Sequence, residues 1–582
     1  MEWALFGAVA IVSVVAAGAF AKKLGVAAPL ILILLGVGFS FIPGAPTTVP
    51  PEIILAGLLP PILYSASISV AVVDFRRNFT SIFALSVVLV LISAFVTGYL
   101  LFVLFPDLTL AEGIAIGAVV SPTDAVAATA IGKRLGLPPR LVTILEGESL
   151  GNDATALVLL RSAVAATATV VTFWGAVGDF VYAVAIATLI GLLIGYLTVF
   201  VRSKLSDPIL DTAISFAVPF LAYVPAEAVH ASGVMAVIVT GLYSGHQVVR
   251  KITPQARISE RTNWRTVQFV LENVVFLLIG LELTKLVHDV SSQAKPGEPG
   301  VLDSVLLGLL VVLVLLVLRF LFVPPLLLYV RRQKQFAEKR QSQFRVRLDR
   351  FRRSARGSER MEKRSDRAER VYARREADLA ERKAEGLDWR GGVILSWSGM
   401  RGVVTLAAAQ SLPETIPYRA QLVLIAFTVA VVTLLLQGGT LPLLIRLTKI
   451  QGTDIDADRR QFASLLEEIG AVGVEVLDNP RLRLPNGQPI DPAVIERVRT
   501  DTMLNAESAW ERAEHGTEDE GLPESPQRQY RDLRREVLEA EREALHNARS
   551  EGMYASRILS RAQAMLDLEE TRLEQIDNPG SH

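Results

Sequence analysis

The chain has 582 residues, 51% hydrophobic and 20% charged, with 59 basic and 59 acidic side chains and a formal net charge of zero. With a positive mean hydropathy of +0.39, this is the composition of a polytopic membrane protein and excludes a soluble globular one. The absence of cysteine excludes disulfides, Cys-ligated metals and thiol chemistry, and the six histidines show no metal-ligand spacing.

The N-terminus, Met1-Glu2-Trp3, lacks the basic segment of a secretory signal, and its apolar run reaches nearly to Lys22-Lys23. It reads as an uncleaved first helix. Apolar stretches follow near 3–21, 25–42, 52–73, 79–105, 111–132, 141–165, 175–201, 208–224, 230–248, 266–286, 302–330, 390–411 and 420–446. At roughly 20 apolar residues per span, that predicts an all-α protein with about 13 transmembrane helices. Basic residues gather at Lys22-Lys23, Arg76-Arg77, Lys133-Arg134 with Arg140, Arg202 with Lys204, Arg250-Lys251 through Arg265, and after Arg331. These read as cytoplasmic loops, and the basic-poor loops at Pro43–Pro51, Pro106–Glu112, Pro225–His230 and Ser411–Pro417 as external ones. A multi-pass plasma-membrane protein with its N-terminus outside and its C-terminus inside is expected.

The transmembrane domain then covers 1–447, with a strongly basic insert at 331–389. The insert reads as a solvated helical hairpin or loop, or as a surface attracted by anionic lipids. A cytoplasmic helical tail follows over 448–582, regulatory or oligomerising in role. In it Phe462, Leu465, Leu466, Ile469 and Val472 recur near helical spacing, Pro485-Asn486-Gly487 marks a turn, and Glu518–Pro526 reads as an acidic linker. Leu533, Val537, Leu538 and Leu545, then Ile558, Leu559, Met565 and Leu566, predict amphipathic helices that pack together.

Two spans are interrupted: the fifth by Ser121-Pro122-Thr123-Asp124, the twelfth by Ser396-Trp397-Ser398-Gly399-Met400-Arg401-Gly402. Interrupted segments in corresponding places of two halves point to a transporter site built from inverted repeats, here spans 1–6 and 8–13 joined by the seventh. Between them, the sixth span carries Glu146-Gly147-Glu148-Ser149-Leu150-Gly151-Asn152-Asp153. Each charge at membrane depth costs roughly 2.5 to 3.5 kcal/mol on insertion scales, so this cluster implies a bound ion or a titrating proton.

A dehydrated monovalent cation such as Na⁺ needs oxygen ligands, and Thr123, loose carbonyls, Asp124 and Asp153 can supply them. Burial disfavours a charged carboxylate, so one aspartate can exchange a proton for a cation. The plainer alternatives are a solvated cap for Asp124 and a structural partner of a buried basic residue for Asp153. Arg401, mid-membrane in a broken helix, needs a counter-charge, and Glu148 is the first choice ahead of Glu146. Asn152 reads as a site amide or an interhelical bond, and Glu272-Asn273 in the tenth span as a site-facing pair or packing glue. No cofactor and no nucleic-acid partner is implied.

Thr123-Asp124, Gly147-Glu148-Ser149-Leu150-Gly151-Asn152-Asp153 and Gly399-Met400-Arg401-Gly402-Val403-Val404-Thr405-Leu406-Ala407 resemble the bacterial branch of the monovalent cation:proton antiporters of NhaP and sodium/proton exchanger type. Leu59-Pro60-Pro61-Ile62-Leu63, Phe276-Leu277-Leu278-Ile279-Gly280 and the short tail run Leu566-Asp567-Leu568-Glu569-Glu570 carry the likeness further. The resemblance implies a homodimeric, elevator-like Na⁺/H⁺ antiporter, not an enzyme. It implies that Asp153 binds both cation and proton, that Thr123, Asp124 and Ser149 line the site, and that Glu148 and Arg401 form a structural salt bridge. The Asn152-Asp153 pairing resembles the electroneutral branch. The chain departs at Tyr64-Ser65, where some members carry an acidic residue, at Glu272, and in the length of the basic insert. The same fold preferring K⁺ or accepting several cations is the nearest alternative; a channel or a membrane sensor is the rival class.

Overall fold

Where an intramembrane helix stops, its backbone needs an internal reason to stop, because no lipid group can satisfy freed N–H and C=O groups. The computed structural model supplies those reasons at the two predicted breaks. It describes residues 2–24, 28–42, 50–124, 126–168, 173–205, 207–293, 298–355, 388–450 and 455–478, and in the tail 483, 490–500 and scattered positions of 533–569. The chain forms two units, Met1–Gly452 and Thr453–His582.

The first unit is all-helical among the described residues. Phe79–Leu104, Val177–Arg202, Pro208–Ala228, Val301–Gln333 and Arg419–Thr448 are each long and apolar enough to cross a membrane, and Gly7–Ala21, Ala28–Ser40, Ile53–Ser69 and Leu110–Val120 are shorter apolar helices. Leu189, Leu193, Leu313 and Leu321 lie exposed on their helices. So much outward apolar surface is tolerable in lipid and not in water. Arg419–Thr448 is instead mostly enclosed.

Thr109 and Glu112 start the fifth span with a reciprocal capping box. The helix Leu110–Val120 then ends at Ser121-Pro122, where proline lacks the donor for the next turn, and resumes as Val126–Arg134. Asp388 caps Trp389–Trp397 through the Gly391 N–H; that helix ends at Ser398-Gly399 and resumes as Val403–Gln410. The two breaks meet: the Asp124 N–H donates to the Met400 carbonyl at 2.6 Å. Gly402 makes the approach possible, since a Cβ there would overlap the Asp124 carboxylate. Elsewhere Gly36 and Gly280 let Ala28–Ser40 and Pro254–Gln293 touch backbone to backbone, which gives Gly280 of the Phe276–Gly280 motif its packing reason.

Several boundaries differ from those read in the sequence. The stretch Arg250-Lys251 through Arg265, expected as a loop, is helical apart from 252 and 253 and continues into one helix, Pro254–Gln293. No proline or glycine follows Pro254 until Gly280, which the helix runs through, and its polar half is held inside by Glu260 and Trp264, both buried. Arg202, read as a loop charge, is fully buried: it grips Asp211 through Nε at 2.9 Å and Nη2 at 2.7 Å, and lies 2.8 Å from Glu260 through Nη1. Pro208–Ala228 runs through Pro219 and Pro225. Val301–Ala355 extends well into the expected insert.

In the second unit Ile455–Leu477 is helical and leaves Ile469 and Val472 exposed. Leu538 and Leu566 bury against one another, and Arg534 holds Glu569 through Nε and Nη2, both at 2.8 Å. The rest of the insert, the Pro485 turn, the acidic linker, and Leu545, Ile558, Leu559 and Met565 lie outside the described residues.

Candidate functional site

The helix Pro139–Ala168 brings Glu146, Glu148, Ser149, Asn152 and Asp153 beside the crossed breaks. At 3.6 residues per turn, Glu148 and Asn152 share one stripe while Glu146, Ser149 and Asp153 share its neighbour. The first stripe holds the break. Thr123 donates its hydroxyl to Glu148 Oε1 at 2.7 Å, and Asn152 Nδ2 donates to the Thr123 carbonyl at 2.7 Å and to its Oγ1 at 2.9 Å. A carbonyl only accepts, so this fixes the amide orientation. It leaves Asn152 Oδ1 buried with no hydrogen-bond partner among the described residues.

Glu148 pairs with Arg319, not with Arg401 as expected. Arg319, from Val301–Ala355, meets both carboxylate oxygens, Nη2 to Oε2 at 2.8 Å and Nη1 to Oε1, and donates Nε to the Leu395 carbonyl at 3.0 Å. All of these groups are buried. The physical reason is what surrounds each arginine. Arg401 lies where two half-helices end, and it donates Nε to the Val120 carbonyl at 3.2 Å and Nη1 to the Gly399 carbonyl, while its own N–H reaches Thr433 Oγ1 at 3.0 Å. The negative C-terminal ends of the half-helices supply its counter-charge. Arg319, in an unbroken helix, has no such ends and takes the carboxylate.

Asp124 completes the balance. Its carboxylate lies against Gly402, the N-cap of Val403–Gln410, and it immediately precedes Val126–Arg134. Positive helix N-termini therefore face it. Asp153, only 8% exposed, lies within electrostatic range of Asp124 and forms no ion pair among the described residues. Glu148 has Arg319 and Asp124 has helix ends, whereas Asp153 has no ion-pair partner among the described residues.

Glu272 is also within electrostatic range of Asp124. It accepts from Gln268 Nε2 at 2.7 Å, and Gln268 Oε1 accepts from Ser65 Oγ at 2.9 Å. Asn273 donates to the Phe269 carbonyl of its own helix at 2.8 Å. Ser149 is half-buried on the Asp153 stripe. Arg319 was missed in the sequence, although a lone arginine inside the apolar run 302–330 is the same signal that singled out Arg401. Gln268 and Thr433 carried no such signal.

A family model described as "Sodium/hydrogen exchanger, transmembrane" matches residues 9–447. An uncharacterized Na(+)/H(+) exchanger of Mycobacterium tuberculosis is 27% identical over 98% of this chain and 96% of its own length. A sodium, potassium, lithium and rubidium/H(+) antiporter of Bacillus pumilus is 27% identical over 72% of this chain and 57% of its own. Among solved structures, the sodium proton antiporter MjNhaP1 of Methanocaldococcus jannaschii superposes with a TM-score of 0.55 at 16% identity, over 76% of this chain and 98% of that one. The shared feature is the fold.

Proposed function

The chain belongs to the sodium/hydrogen exchanger family, a family of transporters, and from that premise we propose that it exchanges one cytoplasmic Na⁺ for one external proton. Asp153 holds either ion in turn, and Asp124, Thr123, Ser149 and Asn152 line the cation's cage, with Glu272 as an accessory and Asn273 outside it. The exchange is electroneutral because the one carboxylate carries a single monovalent cation each way, Na⁺ in one direction and H⁺ in the other. Thirteen spans in two inverted repeats, an outside N-terminus, a cytoplasmic tail over 448–582 and a homodimeric, elevator-like movement complete the reading.

The observation that carries it is the charge balance at the crossed breaks. Arg401 and Asp124 answer the half-helix ends, Arg319 answers Glu148, and Asp153 is left for a mobile cation. The unpaired Asn152 Oδ1 offers the hard oxygen ligand such an ion needs.

Na⁺-driven proton flux in proteoliposomes tests it. Asp153→Asn, neutral at every pH, is expected to abolish flux while the protein stays folded and monodisperse; flux near the wild-type rate removes Asp153 from its role. The same assay with K⁺, Li⁺ and Rb⁺ decides between Na⁺ selectivity and a broad cation range. The Bacillus pumilus relative, a sodium, potassium, lithium and rubidium/H(+) antiporter, favours the broad range as a second reading.

A further inference from the structure

Three residues of Pro139–Ala168 form one stripe, Glu146, Ser149 and Asp153, spaced three and then four residues apart. Access falls along it, from a Glu146 side chain 28% exposed to a nearly enclosed Asp153 at 8%. At the open end the Glu146 carboxylate is already occupied. Lys133 Nζ lies 2.8 Å from Glu146 Oε1, and the lysine side chain is 64% exposed. Lys133 sits in the last turn of Val126–Arg134, the half-helix that begins beside Asp124. The pair therefore bridges the two elements that hold the two aspartates of the site.

We propose that Glu146 is an outer docking site for the transported monovalent cation, about two helical turns from Asp153, and that the Lys133 ammonium occupies it as a tethered competitor until the cation displaces it. An ammonium and a dehydrated alkali cation make the same demand, a carboxylate oxygen. So exposed an ion pair is weak, which suits a group that must yield on each cycle and makes it a poor structural brace. The Glu148–Arg319 pair, buried and bidentate on the neighbouring stripe, has the opposite character. The proposal rests on the antiport reading and adds a site on the face where the Lys133–Arg140 loop lies, the cytoplasmic face by its positive charge.

The test is the apparent KM for Na⁺ supplied from that face, in full-length protein reconstituted in sided vesicles. Lys133→Gln is expected to lower this KM about two- to fivefold, the range for releasing one exposed ion pair, and Lys133→Arg to leave it at the wild-type value. Glu146→Gln is expected to raise it, and adding Lys133→Gln to Glu146→Gln to change nothing further. The swapped pair Lys133→Glu with Glu146→Lys separates docking from bracing. A brace is restored by the swap and returns the wild-type KM, whereas a docking site now carries a lysine on the stripe and keeps KM high. A lower maximal rate with KM unmoved in all variants, or rescue by the swap, overturns the proposal. Absence of cation-driven flux in the wild-type protein overturns the antiport reading instead.

Discussion

Removing the carboxylate of Glu148 leaves the Arg319 guanidinium buried without a counter-charge, and removing Arg319 does the same to Glu148. Each truncation to alanine is expected to cost about 3 to 5 kcal/mol of stability, and the double variant much less than the sum. Detergent melting across the double-mutant cycle checks this. The parallel cycle between Glu148→Ala and Arg401→Ala is expected to be much closer to additive, because Arg401 donates to the Val120 and Gly399 carbonyls. A coupling to Arg401 as large as that to Arg319 would mean the pairing has been misassigned. Asp153 differs from both: with no ion-pair partner among the described residues, its neutral amide replacement is expected to remove exchange and spare the fold.

At the scale of elements, four half-helices converge on one backbone contact. The crossing brings the Asp124 N–H to the Met400 carbonyl and has no room for a side chain at Gly402. Gly402→Ala is expected to push the broken helices apart, losing about 1 to 3 kcal/mol, the usual cost of an overpacked methyl group. Because the displaced atoms belong to Asp124, cation affinity is expected to fall more steeply than yield. Na⁺ dependence of flux, read beside melting temperature in the same preparation, separates the two. The φ of Gly402 is −120°, so any residue could adopt its backbone, and the loss expected is one of space alone. The Arg202–Asp211–Glu260 cluster plays the corresponding part at the ends of Phe173–Arg202, Pro208–Ala228 and Pro254–Gln293, joining three helices through one buried guanidinium.

For the molecule as a whole, the proposed sharing of one carboxylate between cation and proton sets the pH profile to be expected. At low pH the cation cannot displace the proton; at high pH too little proton is bound to be returned. Exchange is expected to trace a bell whose acidic limb moves to lower pH as Na⁺ rises, by about one unit per tenfold increase while the two ions compete directly. A remote pH sensor in the tail would instead pin that limb where the sensor titrates. Flux against pH at low and saturating Na⁺, in the full chain and in one ending near Lys449, distinguishes them. A limb that ignores Na⁺ in the full chain and disappears on truncation assigns pH control to the tail and not to Asp153.

Composition and hydrophobic runs were enough to place this chain in a membrane, and Pro122 and the Gly399–Gly402 run were enough to locate both helix breaks, because lipid leaves few ways to interrupt a backbone. The residues Thr123, Asp124, Asn152 and Asp153 stood out for the same reason: a polar group at membrane depth needs a purpose. Partnership did not follow from depth. Whether Arg401 or Arg319 neutralises Glu148, and whether Arg202 faces water or two carboxylates, depends on which helix ends and side chains converge in space. Sequence spacing carries one helix's periodicity and nothing of its neighbour's position. The counter-charges of Arg401 are backbone carbonyls, which every residue possesses and no sequence distinguishes; only the crossing of the two breaks aims them at one guanidinium.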